Sequence, residues 1–410
     1  MHFRPGVLLL ALFAVALLVI FGGKTAFIFL LFLLLLSLTG YFLTWRAFNG
    51  LKLERRVRPT RLPSGEVAQI ELIVENTSPF PLIWLEIWDH FQPYMVPFDG
   101  LPRFALSLKG KERRTILYRA LLNKRGEYNL RPLLVSAGDP WGFWRKERNI
   151  DAPASLLVFP RIIPISSFAL PLRKPFEGRK SGIRSYEDYT AISGLRDYLP
   201  FDPQKRIHWK VTAHIGKLLV KEFEFSSSTT LAVWVDLVSS GRRKDFMEVY
   251  QEYACMIAAS ILNYACEEHI PTLLKVFPGK NEESFLGKGK DHFLRQMEVL
   301  ARAKAEEGDL LKQIFLQAPH LPWQSNLVLI SSILNKQFLY KLVELRLRAR
   351  HLSLYLLYEG SFLLPGEKPR YSFMLDPLEV SELRGLSGML EEQNINVHLI
   401  GGNEPLEAVA

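Results

Sequence analysis

The segment from Leu195 to Glu224 carries the densest group of side chains suited to recognition. It combines guanidinium, ammonium, carboxylate and large aromatic groups around a Pro-Phe-Asp-Pro turn at 200–203. An aspartate in such a turn accepts backbone N–H bonds. Cations of this kind are buried only when they are paired or stacked on aromatic rings. We therefore expect a structural clasp, a docking face, or both from Arg196, Tyr198, Asp202, Arg206, Trp209, Lys210 and Lys221.

Within this signature block the residue types suggest a specific scheme. We expect Asp202 to pair with Arg206 or Arg196, and the rings of Trp209 and Tyr198 to cover the guanidinium planes. In this scheme the aspartate, its arginine partner and the tryptophan are buried, and the two lysines stay partly exposed. An exposed patch rich in Arg and Tyr has the chemistry of a protein-binding hot spot.

The order and spacing of these residues resemble the signature block of the DUF58 family. The stretch Ala137–Trp144 also resembles the D-P-F-G-L turn that ends a β-sandwich in those proteins. The resemblance implies a membrane-anchored protein in which the block leads into a von Willebrand factor A-like domain. It also implies a partner, because DUF58 proteins are typically associated with MoxR-type AAA+ ATPases that assist assembly or maturation of other proteins.

After the block, apolar runs alternate with segments of helical spacing. The predicted strands are Leu231–Leu237, Pro271–Phe277, Asn326–Ser331, His351–Tyr358 and Ile395–Ile400. The predicted helices are Lys244–His269, Lys290–Ala305, Leu310–Gln317, Lys336–Arg350 and Pro377–Gln393. This alternation predicts an α/β fold with a doubly wound parallel sheet over residues 229–410. That fold agrees with a von Willebrand A-like domain.

Von Willebrand A domains often bind a divalent cation through an Asp-x-Ser-x-Ser loop. The corresponding loop here runs from Asp236 to Ser240, and its middle serine position is Val238, which has no oxygen to donate. One carboxylate and one hydroxyl do not replace the water of a hard cation that takes about six oxygens. We therefore predict no metal at this degenerate loop, and expect Asp236 to cap the loop or helix that follows.

Motifs for other chemistries do not match. There is no G-x-S-x-G nucleophile motif, and the run at 287–290 lacks the spacing of a phosphate-binding loop. His208 and His214 have no third ligand nearby in the sequence. The net charge is +9, with eleven basic and five acidic residues between Arg173 and Lys221, but no nucleic-acid fold motif accompanies this patch. We expect no cofactor and no nucleic-acid partner, and favour an anionic lipid surface or an acidic protein.

Residues 51–160 show short alternating runs separated by turn signals. The runs are Glu66–Asn76, Leu82–Asp89, Phe104–Leu108, Thr115–Leu122 and Tyr128–Ser136. Short strands at this spacing predict an immunoglobulin-like sandwich. A proline-rich, basic connector follows, so that residues 161–228 hold the connector and the signature block.

Two apolar runs precede the sandwich, Val7–Phe21 and Ala26–Leu43. The second is long enough for a hydrocarbon core of about 30 Å, and the first spans about 22 Å. We predict a transmembrane hairpin over residues 1–50. Basic residues crowd after Leu43, and only Lys24 lies between the runs, so the positive-inside rule places both termini in the cytoplasm of a cell-membrane protein.

These features favour a membrane-anchored, non-enzymatic adaptor that works with the ATPase that the resemblance implies. An unrecognised hydrolase using Asp202 or Asp236 is the first alternative. The second is a cell-envelope binding protein whose domains lie outside.

Overall fold

The computed structural model describes residues 2–3, 12–13, 15–16, 23–163, 187–199, 207–225, 230–278, 285–322, 325–333, 335–357 and 377–400. The chain divides into two compact units. Unit 1 contains Met1–Ile162, Met247–Ala259 and Leu294–Ala305. Unit 2 contains Ile163–Phe246, Ser260–Phe293 and Glu306–Ala410. The predicted four-part division of the chain stays a prediction.

Near the N-terminus the structure has one long apolar helix, α1 (Lys24–Arg46). Its segment Phe27–Arg46 is long and apolar enough to cross a membrane, and only 11% of it is buried. A helix that leaves this much apolar surface exposed is not the core helix of a soluble domain, so α1 suits lipid. The predicted second span coincides with α1. The predicted first span lies almost wholly outside the described residues.

The β-rich region of unit 1 contains twelve described strands. They are β1 (His2–Phe3), β2 (Leu51–Arg58), β3 (Arg61–Pro63), β4 (Val67–Asn76), β5 (Leu82–Trp88), β6 (Met95–Pro97), β7 (Arg103–Leu108), β8 (Arg113–Leu122), β9 (Gly126–Asn129), β10 (Leu133–Gly138), β11 (Trp144–Ile150) and β12 (Ser155–Phe159). They form sheets of order β1-β11-β10-β5-β7, β2-β4-β8-β6 and β3-β12-β9. Pairing is antiparallel except between β3 and β12.

The core of this region follows the period of two that the sequence shows. In β4, Ala68, Ile70, Leu72 and Val74 are fully buried and share one cluster with residues from both larger sheets. Successive side chains of a strand point to opposite faces, so this register directs one apolar face inward. All five predicted β runs are strands, although the run at 128–136 is broken between β9 and β10.

A buried ion pair lies inside this core. Arg55 donates through Nη1 to both carboxylate oxygens of Asp89, at 2.8 and 2.9 Å, and through Nη2 to the carbonyl of Arg131 at 2.8 Å. The Tyr118 hydroxyl donates to the same carboxylate at 2.5 Å. Burial, reinforced by the negative charge of Asp89, raises the pKa of Tyr118 well above its usual range. The tyrosine therefore stays a donor at every physiological pH.

Unit 1 also contains parts of two helices, α3 (Lys244–Glu267) and α4 (Lys290–Arg302). The turn between β8 and β9 contributes Arg125, whose side chain is buried. It donates to the carbonyls of Gln251, Leu300 and Ala303 and to the carboxylate of Glu252, at 2.6 to 3.0 Å. The turn is thus held by a charge that has carbonyl and carboxylate acceptors.

Unit 2 contains a parallel sheet and a separate antiparallel ribbon. The described strands are β13 (Glu187–Asp197), β14 (Leu219–Phe225), β15 (Leu231–Asp236), β16 (Thr272–Phe277), β17 (Asn326–Ser331), β18 (His351–Leu357) and β19 (Ile395–Ile400). The described helices wholly inside this unit are α2 (Trp209–Ile215), α5 (Leu310–Gln317), α6 (Lys336–Arg348) and α7 (Pro377–Glu392). The ribbon pairs β13 with β14.

The parallel sheet has the order β16-β15-β17-β18-β19. Every pairing within it is parallel, so the prediction of a parallel α/β sheet is confirmed. All six residues of β15 are buried, which shows that both faces of this strand are covered. On one face Ala232 and Trp234 share a cluster with Ile314 of α5, Phe338 of α6 and Leu390 of α7.

The buried pair between Arg55 and Asp89 predicts a large effect on stability. Asp89→Ala removes the carboxylate and leaves Arg55 charged and buried, so we expect a loss of about 3–5 kcal/mol in the free energy of unfolding. The measurement is urea unfolding of the full chain in detergent.

Asp99→Ala is the matched control, because Asp99 also pairs with an arginine, Arg119, but at the surface. It should leave the midpoint nearly unchanged. Equal losses in the two variants would show that burial does not set the strength of these pairs.

Candidate functional site

The carboxyl edge of the parallel sheet is the first place to look for chemistry. The strand order reverses between β15 and β17, and ligands of open α/β sheets bind at such a switch point beyond the strand ends. Asp236 ends β15 and Ser331 ends β17, so both lie at this point. Asp236 is fully buried.

Asp236 is occupied by protein groups. Its Oδ1 accepts the Val238 backbone N–H at 3.0 Å, and its Oδ2 accepts the Ser331 hydroxyl at 2.7 Å. The Arg242 guanidinium donates through Nη2 to the same Oδ2 at 2.5 Å. The expectation that Asp236 caps the following loop is confirmed by its bond to Val238.

Arg242 is the residue that sequence reasoning missed. Its side chain is 4% exposed, and its Nη1 donates to the Val238 carbonyl at 2.7 Å. The guanidinium therefore places a fixed positive charge against the carboxylate that a metal loop would use. The sequence did contain a signal for this pair, namely a basic residue six positions after Asp236 and directly after Gly241. A turn at the glycine can bring the arginine side chain back to the aspartate.

The rest of the degenerate loop is structural. The Ser240 hydroxyl accepts the Gly308 backbone N–H at 3.0 Å. The loop backbone forms a parallel bridge between Val238 and Glu306, with Ser239 donating to the Glu306 carbonyl. In the part of the chain that the structure describes, no group of three or more His, Cys, Asp or Glu residues could hold a metal ion.

The signature block is the second candidate. Asp202 and Arg206 lie outside the described residues, so the predicted pairing around Asp202 stays a prediction. The described parts flank them. Arg196 lies opposite Val220 in the ribbon and donates to the Asp197 carbonyl at 3.1 Å.

The other described residues of the block lie around the ribbon and α2. The Tyr198 backbone N–H bonds to the Leu218 carbonyl, and Tyr198 is half-buried. Lys221 is half-buried on β14, opposite Leu195, whereas Lys210 on α2 is exposed.

The prediction that Trp209 is buried is wrong. Trp209 begins α2 and is 63% exposed. The buried residue at this point is Ile207, which pairs with Val220 through an isolated β-bridge. A helix of seven residues has little surface to bury, and in α2, which is described completely, no residue is buried. The tryptophan is therefore free of the clasp role that its size suggested.

The ribbon and α2 together present an exposed surface that we call the α2 face. Its apolar members are Leu199, Trp209, Ile215 and Leu218, and its basic members are Lys210 and Lys217. His208 caps the helix by accepting the Val211 N–H, and Gly216 ends it with a φ of 72°. Exposed apolar side chains grouped beside cations mark an interaction surface.

Comparison with known proteins agrees with the signature block. Residues 194–365 match the family model described as "Protein of unknown function DUF58". A relative from Bacillus subtilis (strain 168), named "Uncharacterized protein YeaD", is 24% identical over 263 residues. The match covers 62% of this chain and 63% of that protein, so the chain spans less than two thirds of its relative. The DUF58 resemblance is confirmed.

Two solved structures show a distant likeness to part of the chain. The CARDB domain of the PF1109 protein of Pyrococcus furiosus, in complex with di-metal ions, is 16% identical with a TM-score of 0.19, covering 27% of this chain and 96% of that one. Salmonella alpha-2-macroglobulin reacted with methylamine is 16% identical with a TM-score of 0.20, covering 29% of this chain and 9% of that one. Neither likeness extends to the whole chain.

The Arg242–Asp236 pair predicts how the protein responds to divalent cations. Millimolar Mg²⁺, Mn²⁺ or Ca²⁺ should leave the melting temperature unchanged, because only a cation that binds the native state raises it. A rise that disappears in Asp236→Ala would contradict this prediction and show that the cation displaces the guanidinium.

The same pair predicts the effect of removing the arginine. Arg242→Ala strands a buried carboxylate and should cost about 3–5 kcal/mol of unfolding free energy in chemical denaturation. Arg243→Ala is the control, because Arg243 is the next residue in the chain and is exposed. Similar stability of both variants would mean that the pair contributes little to the edge.

Proposed function

We propose that this DUF58-containing chain is a membrane-anchored, non-enzymatic adaptor that docks a MoxR-type AAA+ ATPase through the α2 face. The partner would supply the energy of ATP hydrolysis, and this chain would supply the membrane address and the recognition surface. The observation that carries the proposal is the exposure of Trp209 next to Lys210 on a short, well-capped helix.

The membrane address rests on α1. Its apolar stretch is bounded by Lys24 and Arg46, as expected when cations stay at the two interfaces. A second span would complete a hairpin with both termini in the cytoplasm. In support, β1 pairs Phe3 with Trp144, and the same tryptophan bonds to Ser37 of α1. Both ends of the segment from Phe3 to Ser37 therefore contact Trp144 of β11.

The docking role rests on the chemistry of the α2 face. Interface hot spots are enriched in Trp, Tyr and Arg, and their energy comes from aromatic groups that become buried only in the complex. Trp209 begins a helix whose two ends are capped, so the backbone that carries it is already ordered before binding. Lys210 and Lys217 beside it suit an acidic partner surface and would speed its association.

The absence of catalysis in this proposal rests on the carboxyl edge. The sandwich would be immunoglobulin-like and the parallel domain von Willebrand A-like, with Arg242 in place of the divalent cation. A hydrolase at this edge would need Asp236 as base or nucleophile. That carboxylate is buried and already accepts bonds from Val238, Ser331 and Arg242, so it has no position aimed at a substrate.

Binding to a MoxR-type ATPase of the same organism tests the proposal. Trp209→Ala should leave the melting temperature nearly unchanged because the ring is exposed, and should weaken binding by about 2 kcal/mol, or about 30-fold in Kd. Tyr340→Ala is the control, because Tyr340 is an exposed aromatic on another helix of unit 2. It should change neither quantity.

Charge gives a second readout of the same contact. Lys210→Glu should weaken binding mainly through a slower association rate, and added salt should weaken the wild-type complex in the same direction. If Trp209→Ala and Lys210→Glu both melt normally and bind at full strength, the α2 face is not the docking site.

A further inference from the structure

One face of α1 packs against the sandwich of unit 1. Ser37, Gly40, Tyr41 and Thr44 recur at the spacing of a helical face. The Trp144 indole N–H donates to the Ser37 carbonyl at 2.9 Å, and its ring meets Tyr41 edge-on with centroids 5.3 Å apart. Thr44 is fully buried. The sandwich therefore packs against the C-terminal half of α1.

Gly40 fixes the closeness of this contact. A side-chain carbon at Gly40 would lie 3.1 Å from the Asp139 carboxyl carbon, which is tighter than ordinary packing allows. Asp139 itself accepts the backbone N–H groups of Trp141 and Trp144 at 3.0 and 2.5 Å. The turn between β10 and β11 is thus held directly against the helix.

The length of α1 determines the depth of this contact in a membrane. Lys24 and Arg46 are separated by about 33 Å of helix, which matches a hydrocarbon core of about 30 Å. Gly40 lies six residues before Arg46, or about 9 Å closer to the membrane centre. A bilayer that covers the apolar length of α1 must therefore reach the turn that contains Trp141.

Exposed apolar side chains lie where this depth requires them. They are Phe42 and Trp45 of α1, Phe80 and Ile83 of the sandwich, and Trp141 of the turn. We call this set the collar. The Arg46 guanidinium lies over the Phe80 ring, 4.4 Å from its centroid. A small cleft lies between the three segments, and its lining includes Leu43 of α1, Ala47 directly after it, Ile83 of β5 and Pro140 of the turn.

From this placement we infer that the collar end of the sandwich is inserted into the headgroup and acyl-chain boundary of the phospholipid bilayer. The inference rests on the proposed membrane anchorage of α1 and adds that a folded domain, as well as the helix, contacts lipid. The occupant of the collar is phospholipid, because the patch is continuous with the apolar surface of α1.

The side chains of the collar suit that boundary. Tryptophan is enriched at membrane interfaces, where its ring is apolar and its N–H stays hydrated. Arg46 and Lys146, whose ammonium lies 5.5 Å from the Phe48 ring, can reach lipid phosphates from the same end. The free energy gained on leaving water grows with the apolar area that is buried, so several large side chains favour insertion together.

Site-directed spin labelling of the full chain in phospholipid nanodiscs tests the inference. Cys255 is fully buried and Cys266 is half-buried, so a Cys266→Ser background isolates new labels. Phe80→Cys and Trp141→Cys report on two separate loops of the collar. Both positions lie at the surface, and the melting temperature of each labelled variant checks that the fold is intact. The readout is the ratio of collision rates with oxygen and with a water-soluble nickel chelate.

Leu101→Cys is the matched control. Leu101 is 79% exposed and precedes β7, whose far end pairs with the start of β5. It therefore lies about 20 Å from the collar along the strands. Labels at Phe80 and Trp141 should show an oxygen-to-nickel ratio several-fold higher than the label at Leu101. Equal ratios at all three positions would overturn the inference.

A label at Leu34→Cys separates this inference from the anchorage on which it rests. Leu34 is exposed near the middle of α1. If its label reads as hydrocarbon while those at Phe80 and Trp141 read as water, α1 is an anchor and the collar inference is wrong. If the label at Leu34 also reads as water, the anchorage fails and the collar inference fails with it.

Discussion

The buried ion pair between Arg242 and Asp236 determines what the carboxyl edge of the parallel sheet can do. Doubly wound sheets expose binding groups at the point where the strand order reverses, and here that point is filled by the protein's own cation. The carboxylate needs a partner because an unpaired buried charge is very costly. Once Arg242 supplies it, the same contact also fixes the loop through the Val238 carbonyl and the end of β17 through Ser331. The edge is therefore stabilised by the same pairing that occupies the Asp236 carboxylate.

Arg55 and Arg125 solve the same problem in unit 1. Each is buried with one carboxylate and at least one backbone carbonyl as acceptors. Their carboxylates, Asp89 and Glu252, are 34 and 127 residues away in the chain. A planar guanidinium can satisfy several acceptors at once, which explains why arginine and not lysine stands at these positions. Contacts between residues this far apart in the sequence depend on the completed fold, so no local sequence pattern predicts them.

The elements that follow from short-range patterns were predictable. The parallel sheet was predictable from the apolar run that forms β15 and from the amphipathic helices around it. A strand whose two faces are both buried needs such a continuous apolar run. β11 was missed because Trp144–Ile150 is mostly polar, and it is a strand through its pairing with β10. The prediction that Trp209 is buried was wrong for a related reason. The size of its side chain indicated burial, but Ile207, two residues earlier, occupies the buried position against Val220. Which of the two side chains is buried depends on tertiary packing and not on the local sequence.

The two exposed surfaces share a composition that the closed edge lacks. On the α2 face Trp209 stands beside Lys210, and in the collar Phe80 stands under Arg46. The attraction between an aromatic ring and a cation becomes stronger when a partner or a lipid excludes water from the pair. At the sheet edge the cation is already buried with its carboxylate. The α2 face and the collar therefore present exposed aromatic side chains near cations, whereas the buried arginines at the sheet edge and in unit 1 already have carboxylate partners.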